Sequence, residues 1–528
     1  MERSNKSSID QIGEGLMGEM AKIDIEKWGL FELVVKGHKD KNPFIDYTIS
    51  GIFVGKNEKV NVDGFYDGDG TYIIRFMPSF EGNYTYRVEG TFSDEIYEGE
   101  FIVSNASEKN HGPVRVASKY HFAYEDGTPY YSIGTTCYAW THQSIEMQEQ
   151  TLNTLKDSSF NKIRFCVFPK HYDYNLYEPL TYPYEGTPCD ISELSKENFM
   201  DYKPSNPQNQ WNFKRFNPEH FRIIERRIID LMNLGIEADI ILMHPYDRWG
   251  FSEMDEQSDD LYIKYVVARF GAYRNVWWSL ANEYDLCEKK TIKDWERYAS
   301  ILCDKDPYNR LRSNHNCMNI YDFTRPWITH CSIQRNEIYL SAVNTKAWRE
   351  QYGKPVVLDE VGYEGNINHS WGNLTAKEMV RLFWTATVRG GYCGHGETYM
   401  HPKDKLWWSH GGVLHGESDP RLAFLHKILS EVPGLGLEPA DIRGWEDNSA
   451  TASHLGYRNK YYLFYTGKTR PSFKEFKFEN GKDYKVEVID TWNMTIEDRG
   501  VFSGKFRIEL PSREYMALRI KEISKVGD

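Results

Sequence analysis

Two glutamates each close an apolar run. Val276-Trp277-Trp278-Ser279-Leu280 leads into Ala281-Asn282-Glu283, and Pro355-Val356-Val357-Leu358 leads into Asp359-Glu360. Two carboxyls in one partly buried cleft push their pKa values apart, so one stays protonated while the other ionises. That division of labour suits a glycosidic bond, which needs a proton on its leaving oxygen and electron density at its anomeric carbon. A lone glutamate at a strand end is more often a solvated side chain. A pair converging on one mouth is a stronger signal.

Convergence depends on the elements that carry the pair. Between about residues 115 and 435 the sequence alternates short apolar runs with amphipathic stretches. Eight runs read as strands, beginning at Tyr131, Lys162, Glu237, Val276, Leu311, Ile328, Pro355 and Gly391. Helices fill the gaps between them. One spans about 218–234, with Asn217 as cap, Pro218 in the first turn and Gly235 at the end. Its apolar residues Phe221, Ile224, Ile228 and Leu231 form one stripe. Another begins at Thr375, which with Glu378 makes a capping-box pattern. Eight βα units predict an α/β fold, a (β/α)8 barrel. A doubly wound sheet would want a glycine-rich phosphate loop after its first strand, and none is present. Glu283 then follows the fourth strand and Glu360 the seventh, at the mouth where catalytic groups collect.

The flanking regions read as β. Short strands separated by Asp63-Gly64, Asp67-Gly68-Asp69-Gly70 and Glu81-Gly82-Asn83 predict a sandwich over 22–114, with 105–114 as linker. A second small sandwich is expected over 438–528, and 1–21 is a separate N-terminal segment.

The segment Trp277–Glu283 resembles the acid/base motif of clan A glycoside hydrolases, and Pro355–Glu360 resembles their nucleophile strand. The layout, with Gly134–Trp140 after the first strand, is similar to bacterial glycosidases built from an N-terminal sandwich, a barrel and a C-terminal sandwich. The resemblance implies a retaining enzyme with Glu283 as acid/base and Glu360 as nucleophile, acting on β-glycosides or α-L-arabinosides. It implies that Asn282 bonds the sugar 2-hydroxyl and that Arg164 lies beneath the nucleophile. The chain departs from the clan where strand six ends Ile333-Gln334-Arg335 and strand eight ends His395-Gly396-Glu397-Thr398. Many members carry a tyrosine and a tryptophan there.

Other groups follow strand ends. His244, His315 and Glu397 are read as hydrogen-bonding groups for sugar hydroxyls, and Trp140 and Trp371 as stacking faces; Trp249, Trp407 and Trp408 are also candidates. Asp247 and His395 fit loop capping equally well. Histidines from several strands could hold a metal, but no HxH follows the first strand, so neither metal nor cofactor is expected. The segment 169–216 is long, aromatic and weakly patterned, which suits a lid or a self-packed loop.

Sixty-four basic against 77 acidic residues leave a net charge of −13, which disfavours nucleic acid and anionic membranes as partners. The eight cysteines show no CxxC spacing. With no apolar leader at the N-terminus, they suggest a reduced, cytoplasmic protein. The expected partner is an oligosaccharide or glycoside. The alternative is a non-catalytic carbohydrate-binding or scaffold protein on the same barrel.

Overall fold

The computed structural model describes residues 24–523 except 336, 338, 403–405 and 442–447; the segment 1–21 lies outside the described residues. Its centre is an eight-stranded parallel sheet: β1 (Ile133–Thr136), β2 (Lys162–Cys166), β3 (Glu237–Met243), β4 (Val276–Ala281), β5 (Arg312–Ser313), β6 (Cys331–Gln334), β7 (Val356–Glu360) and β8 (Tyr392–His395). The order β5-β4-β3-β2-β1-β8-β7-β6 places the two ends side by side, and a parallel bridge from His315 to Ser332 joins them. The sheet is therefore a near-closed barrel. Every residue of these strands is buried except the half-buried Arg312. Burial on both faces explains why the strands read as apolar runs and not as alternating ones.

The helices are α1 (Ile145–Asp157), α2 (Pro218–Leu234), α3 (Glu256–Phe270), α4 (Ile292–Lys305), α5 (Thr345–Tyr352), α6 (Ala376–Thr387), α7 (Trp407–His410) and α8 (Ser418–Ser430). Helix α2 starts on the Asn217 side chain and stops at Gly235, whose φ of 74° is the left-handed turn that glycine adopts without strain. At α6 only half of the expected capping box forms. Thr375 accepts from the Glu378 amide, while the Glu378 carboxylate turns to Arg381 and Lys468. One gap departs from the expectation: no helix lies between β5 and β6. Those residues form a loop, because Asp285 accepts the amides of Cys317, Met318 and Asn319 and pins the chain in a tight turn. Pro326 further along it has no amide to give a helix.

The chain enters the barrel through residues 114–130. Val114–Ala117, His121–Tyr124 and Pro129–Tyr130 form a small antiparallel sheet. Val114, Phe122 and Tyr130 pack on Trp277, Val357 and Tyr392, residues at the first ends of β4, β7 and β8, and so plug the bottom of the barrel. The mouth at the other end is left for chemistry.

The N-terminal region has a five-stranded and a three-stranded sheet sharing one aromatic core, with Phe53 and Phe76 stacked at 4.4 Å. It is fastened to the barrel by buried charges: Arg269 reaches Asp67 at 2.6 Å, while Arg75 pairs with Glu225 and donates to the Arg269 carbonyl at 2.8 Å. The C-terminal region has a six-stranded sheet and a two-stranded one. In the latter, Phe473–Lys477, which alternates exposed and buried residues, pairs with Lys505–Glu509. Among the described residues no helix is long and apolar enough to cross a membrane.

Candidate active site

Strands β4 and β7 deliver Glu283 and Glu360 to the mouth from separate parts of the barrel. Glu283 comes just after β4 in a left-handed conformation, φ 51° and ψ 55°. Such backbone is costly for a residue with a Cβ and persists where surrounding contacts over-determine it, commonly at functional sites. Three neighbours hold its carboxylate. Gln334 donates to Oε1 at 2.9 Å, while Asn282, at 3.3 Å, and the Tyr246 hydroxyl donate to Oε2. Glu360 is held by Tyr138, whose hydroxyl faces both the Glu360 carboxyl and Asn282 Oδ1, the latter at 2.9 Å. Asn282 and Tyr138 thus join the two glutamates in one chain of hydrogen bonds. The register places Gln334 of β6 directly beside Glu360 of β7, which is why strand six presents an amide here.

Burial pushes Glu360 up to about 8, against the lowering effect of the Tyr363 hydroxyl beside it. Protonated Glu360 can donate to Tyr138 while Tyr138 donates to Asn282. Once Glu360 ionises, the same hydroxyl can turn to it. The shift also bears on stability. Between its ordinary value of 4.5 and about 8 the folded state keeps a proton that the unfolded chain has released, so stability falls as pH rises through that window. Glu360→Gln cannot titrate. Its thermal midpoint should lie near that of the wild type at pH 5 and above it at pH 8; parallel pH profiles of the two proteins would contradict the assignment.

Beneath the glutamates lies a buried ion network. Lys162 reaches Asp239 at 2.9 Å and Asp359 at 2.7 Å, and Arg164 reaches Asp359 at 3.0 Å. Burial alone would push Asp359 up, but Lys162 and Arg164 outweigh it and hold the carboxyl well below its usual range. Arg164 pairs with Asp359, one residue before Glu360, and not with Glu360 itself. Its link to the mouth is Asn282 Oδ1 at 3.4 Å.

The glutamates open into a cavity of about 200 Å3, walled by Tyr138, Lys170, Tyr172, Tyr246, Asn282, Cys317, Gln334, Tyr363, Trp371 and Trp408. Trp371 and Trp408 lie 5.1 Å apart as aromatic faces. Tyr363 can lean inward because residue 396 is glycine; a Cβ there would come within 2.0 Å of its ring. Lys170 is 2 % exposed, with its ammonium 4.0 Å from the Tyr138 ring, 4.2 Å from Tyr246 and 4.5 Å from Trp408. Burial pulls it down to about 8, while Cys166 and Glu283 oppose the shift.

The structure brings Asn282, Trp371 and Trp408 to this wall with the glutamates, but not the other expected residues. Trp140 is fully buried against Phe165, because the chain after β1 makes a 3-10 turn that folds its ring under the loop. His244 Nε2 donates to the Phe168 carbonyl at 3.1 Å. His315, fully buried, lies 3.9 Å from Glu360 as a support, and burial keeps it neutral. Glu397 accepts the amides of His415 and Gly416, and Asp247 those of Trp249, Gly250 and Ser252. Sequence reasoning missed Tyr138, Tyr246, Gln334 and Tyr363, although each lies at or just beyond a strand end. Lys170 had no signal, being one lysine in a long loop. That loop contains a hairpin, Tyr184–Thr187 with Gln210–Phe216, and most of its aromatics pack on one another; Tyr172 faces the cavity.

Among the described residues one group, Glu364, His395 and Glu397, brings metal-ligand atoms within 4.8 Å of one another. Both carboxylates already accept backbone amides of the turn entering α8: Glu364 those of Glu417 and Ser418, Glu397 those of His415 and Gly416. The two carboxylates therefore anchor that turn, while His395 meets the Thr135 hydroxyl at 3.0 Å.

Residues 117–411 match the family described as "Apiosidase-like, catalytic domain". Residues 24–91 and 445–521 match two domains of unknown function, DUF5060 and DUF5605. No curated protein matches the chain. A solved structure from Bacteroides vulgatus ATCC 8482, assigned by inference as a glycoside hydrolase, is 38% identical over 95% of this chain and 100% of its own, with a TM-score of 0.87. A glycoside hydrolase family 5 structure from the same organism is 15% identical over 80% of this chain and 97% of its own; its TM-score of 0.58 speaks for the fold alone.

Proposed function

Because the chain belongs to the apiosidase-like family and is a glycoside hydrolase, we propose that it is a retaining enzyme in which Glu283 is the acid/base and Glu360 the nucleophile. The observation that carries this is the hydrogen-bonded chain Glu283–Asn282–Tyr138–Glu360 facing one small cavity. In the first step a Glu360 oxygen attacks the anomeric carbon as the glycosidic C–O bond breaks, and Glu283 gives its proton to the departing oxygen. The sugar is then an ester of Glu360. In the second step Glu283 takes a proton from water, whose oxygen attacks the same carbon and frees Glu360. Asn282 lies between the carboxylates, where a sugar 2-hydroxyl would sit. The bonds to be cleaved are β-glycosidic or α-L-arabinosidic, and the family description adds an apioside to the set.

One observation favours exchanged roles. Glu360 is the group that burial keeps protonated, as an acid should be. Trapping decides between the two. Aryl glycosides of the candidate sugars identify the substrate, and the matching 2-fluoroglycoside then labels the nucleophile. Mass spectrometry finding the sugar on Glu360 supports the proposed roles, and a label on Glu283 reverses them. Steady production of inverted sugar with no trapped intermediate would exclude retention.

Tyr138→Phe tests the shared hydroxyl. A hydrogen bond to a charged group contributes about 1.5–3 kcal/mol, so kcat/KM should fall by roughly 10–100-fold. A variant with wild-type kcat/KM would show that the hydroxyl is only structural.

A further inference from the structure

Building on the two-glutamate reading, we infer that the enzyme acts from chain ends: it removes one sugar at a time, with a separate cavity for the leaving group. Two loops meet across one half of the mouth. Asp173, from the loop after β2, lies 3.7 Å from His369 in the loop after β7. The Tyr174 ring meets His369 at a steep angle with centroids 6.1 Å apart, and His369 stacks on Trp371 at 5.4 Å. In the barrel, β2 and β7 are separated by β1 and β8. The contact therefore roofs the β1–β8 side. Trp408, contributed after β8, stands 5.1 Å from Trp371 beneath that roof.

The closed side makes the inner cavity a dead end. At about 200 Å3 it is smaller than the roughly 300–1,000 Å3 of sites for drug-sized ligands, and it suits a single sugar ring. A chain continuing past that ring toward β1 and β8 would meet Trp371 and Trp408, with the Asp173–His369 contact against Trp371 behind them. On the opposite side the inner cavity shares Tyr172 and Tyr246 with a second cavity of about 350 Å3, formed by the loops after β2, β3 and β4. Tyr246 is the residue that bonds Glu283, and Leu286 in the same wall lies three residues after it. The proton donor thus borders the open side. Since the acid/base must face the departing oxygen, the second cavity receives the leaving group and the closed one receives the terminal sugar. Tyr172 and Phe199 supply aromatic faces against which a further ring can stack.

The test uses the full chain and three probes built on one sugar. These are its glycosyl fluoride, whose leaving group is a single atom, its aryl glycoside, and its oligosaccharides tagged at the reducing end. The sugars are glucose, galactose, xylose, mannose and apiose as β-anomers, and arabinose as the α-L form. The wild type should shorten tagged chains by one unit per turnover. Met200, 62 % exposed in the second cavity's wall, is the site for a plug. Met200→Trp should lower kcat/KM for the aryl glycoside by about tenfold or more relative to that for the fluoride. Early products cut from within the chain would overturn end-wise action. An aryl-to-fluoride ratio equal to that of the wild type would overturn the leaving-group site. Failure of the underlying reading looks different: fluoride turnover would survive in Glu360→Ala.

Discussion

Glu360→Ala is expected to lower kcat by about 10^4–10^6-fold on any aryl glycoside the wild type hydrolyses, the range seen when a covalent nucleophile is deleted. Glu360 sits where no other side chain can substitute, since the groups beside it are the Tyr138 and Tyr363 hydroxyls and the His315 ring, and none offers a carboxylate. Glu283→Ala should behave differently. With an activated aryl leaving group the first step needs little acid help, so the glycosyl-enzyme accumulates and the second step limits turnover. Azide, needing no general base, should then restore rate and yield the β-glycosyl azide of a β-glycoside. In Glu360→Ala azide should instead enter the emptied nucleophile position and yield the α-glycosyl azide. Exchanged products would exchange the two roles, and turnover that persists in both variants would remove both glutamates from the mechanism. Both alanine variants should fold, since each shortens a side chain that borders an open cavity.

Lys162→Met is expected to destabilise the barrel by about 3–5 kcal/mol, the cost of leaving a buried charge without its partner. Lys162 is fully buried and bridges two aspartates that are themselves 1–2 % exposed. Without it Asp239 and Asp359 face Arg164 alone, so two negative charges share one positive. Because Arg164 also reaches Asn282, the disturbance should pass to the mouth as a fall in kcat. Asp239→Asn in the same chain removes one of the orphaned charges and should recover most of the loss. Urea unfolding followed by tryptophan fluorescence measures this, since Trp277 and Trp278 lie in the adjoining strand β4. A single variant within 1 kcal/mol of wild type, or a double variant no better than the single, would show that the network is not stabilised in this way.

Much of this architecture is legible in the residues. The apolar runs mark the barrel strands because both faces of each strand are buried, and Asn217, Pro218 and Gly235 bound α2 because their backbone preferences act locally. Glu283 and Glu360 are visible because the first lies two residues beyond such a run and the second ends one. Local rules fail where a distant partner intervenes. Asp285 captures three amides and abolishes the helix expected between β5 and β6, and the strands within 114–130 exist only because a barrel floor needs covering.

The sequence by itself determined the barrel, its two glutamate-bearing strands and the β regions on either side, since hydrophobic periodicity and strand-end position are properties of neighbouring residues. Tertiary structure alone decided which groups reach those glutamates. It turned His244 and Glu397 toward backbone and sent Arg164 to Asp359. It also caged Lys170 among three rings and drew Asp173 to His369 across the mouth. The physical reason is closure of the sheet: residues far apart in the chain become neighbours only when β5 and β6 meet, and the loops above then compete for the same few hydrogen bonds.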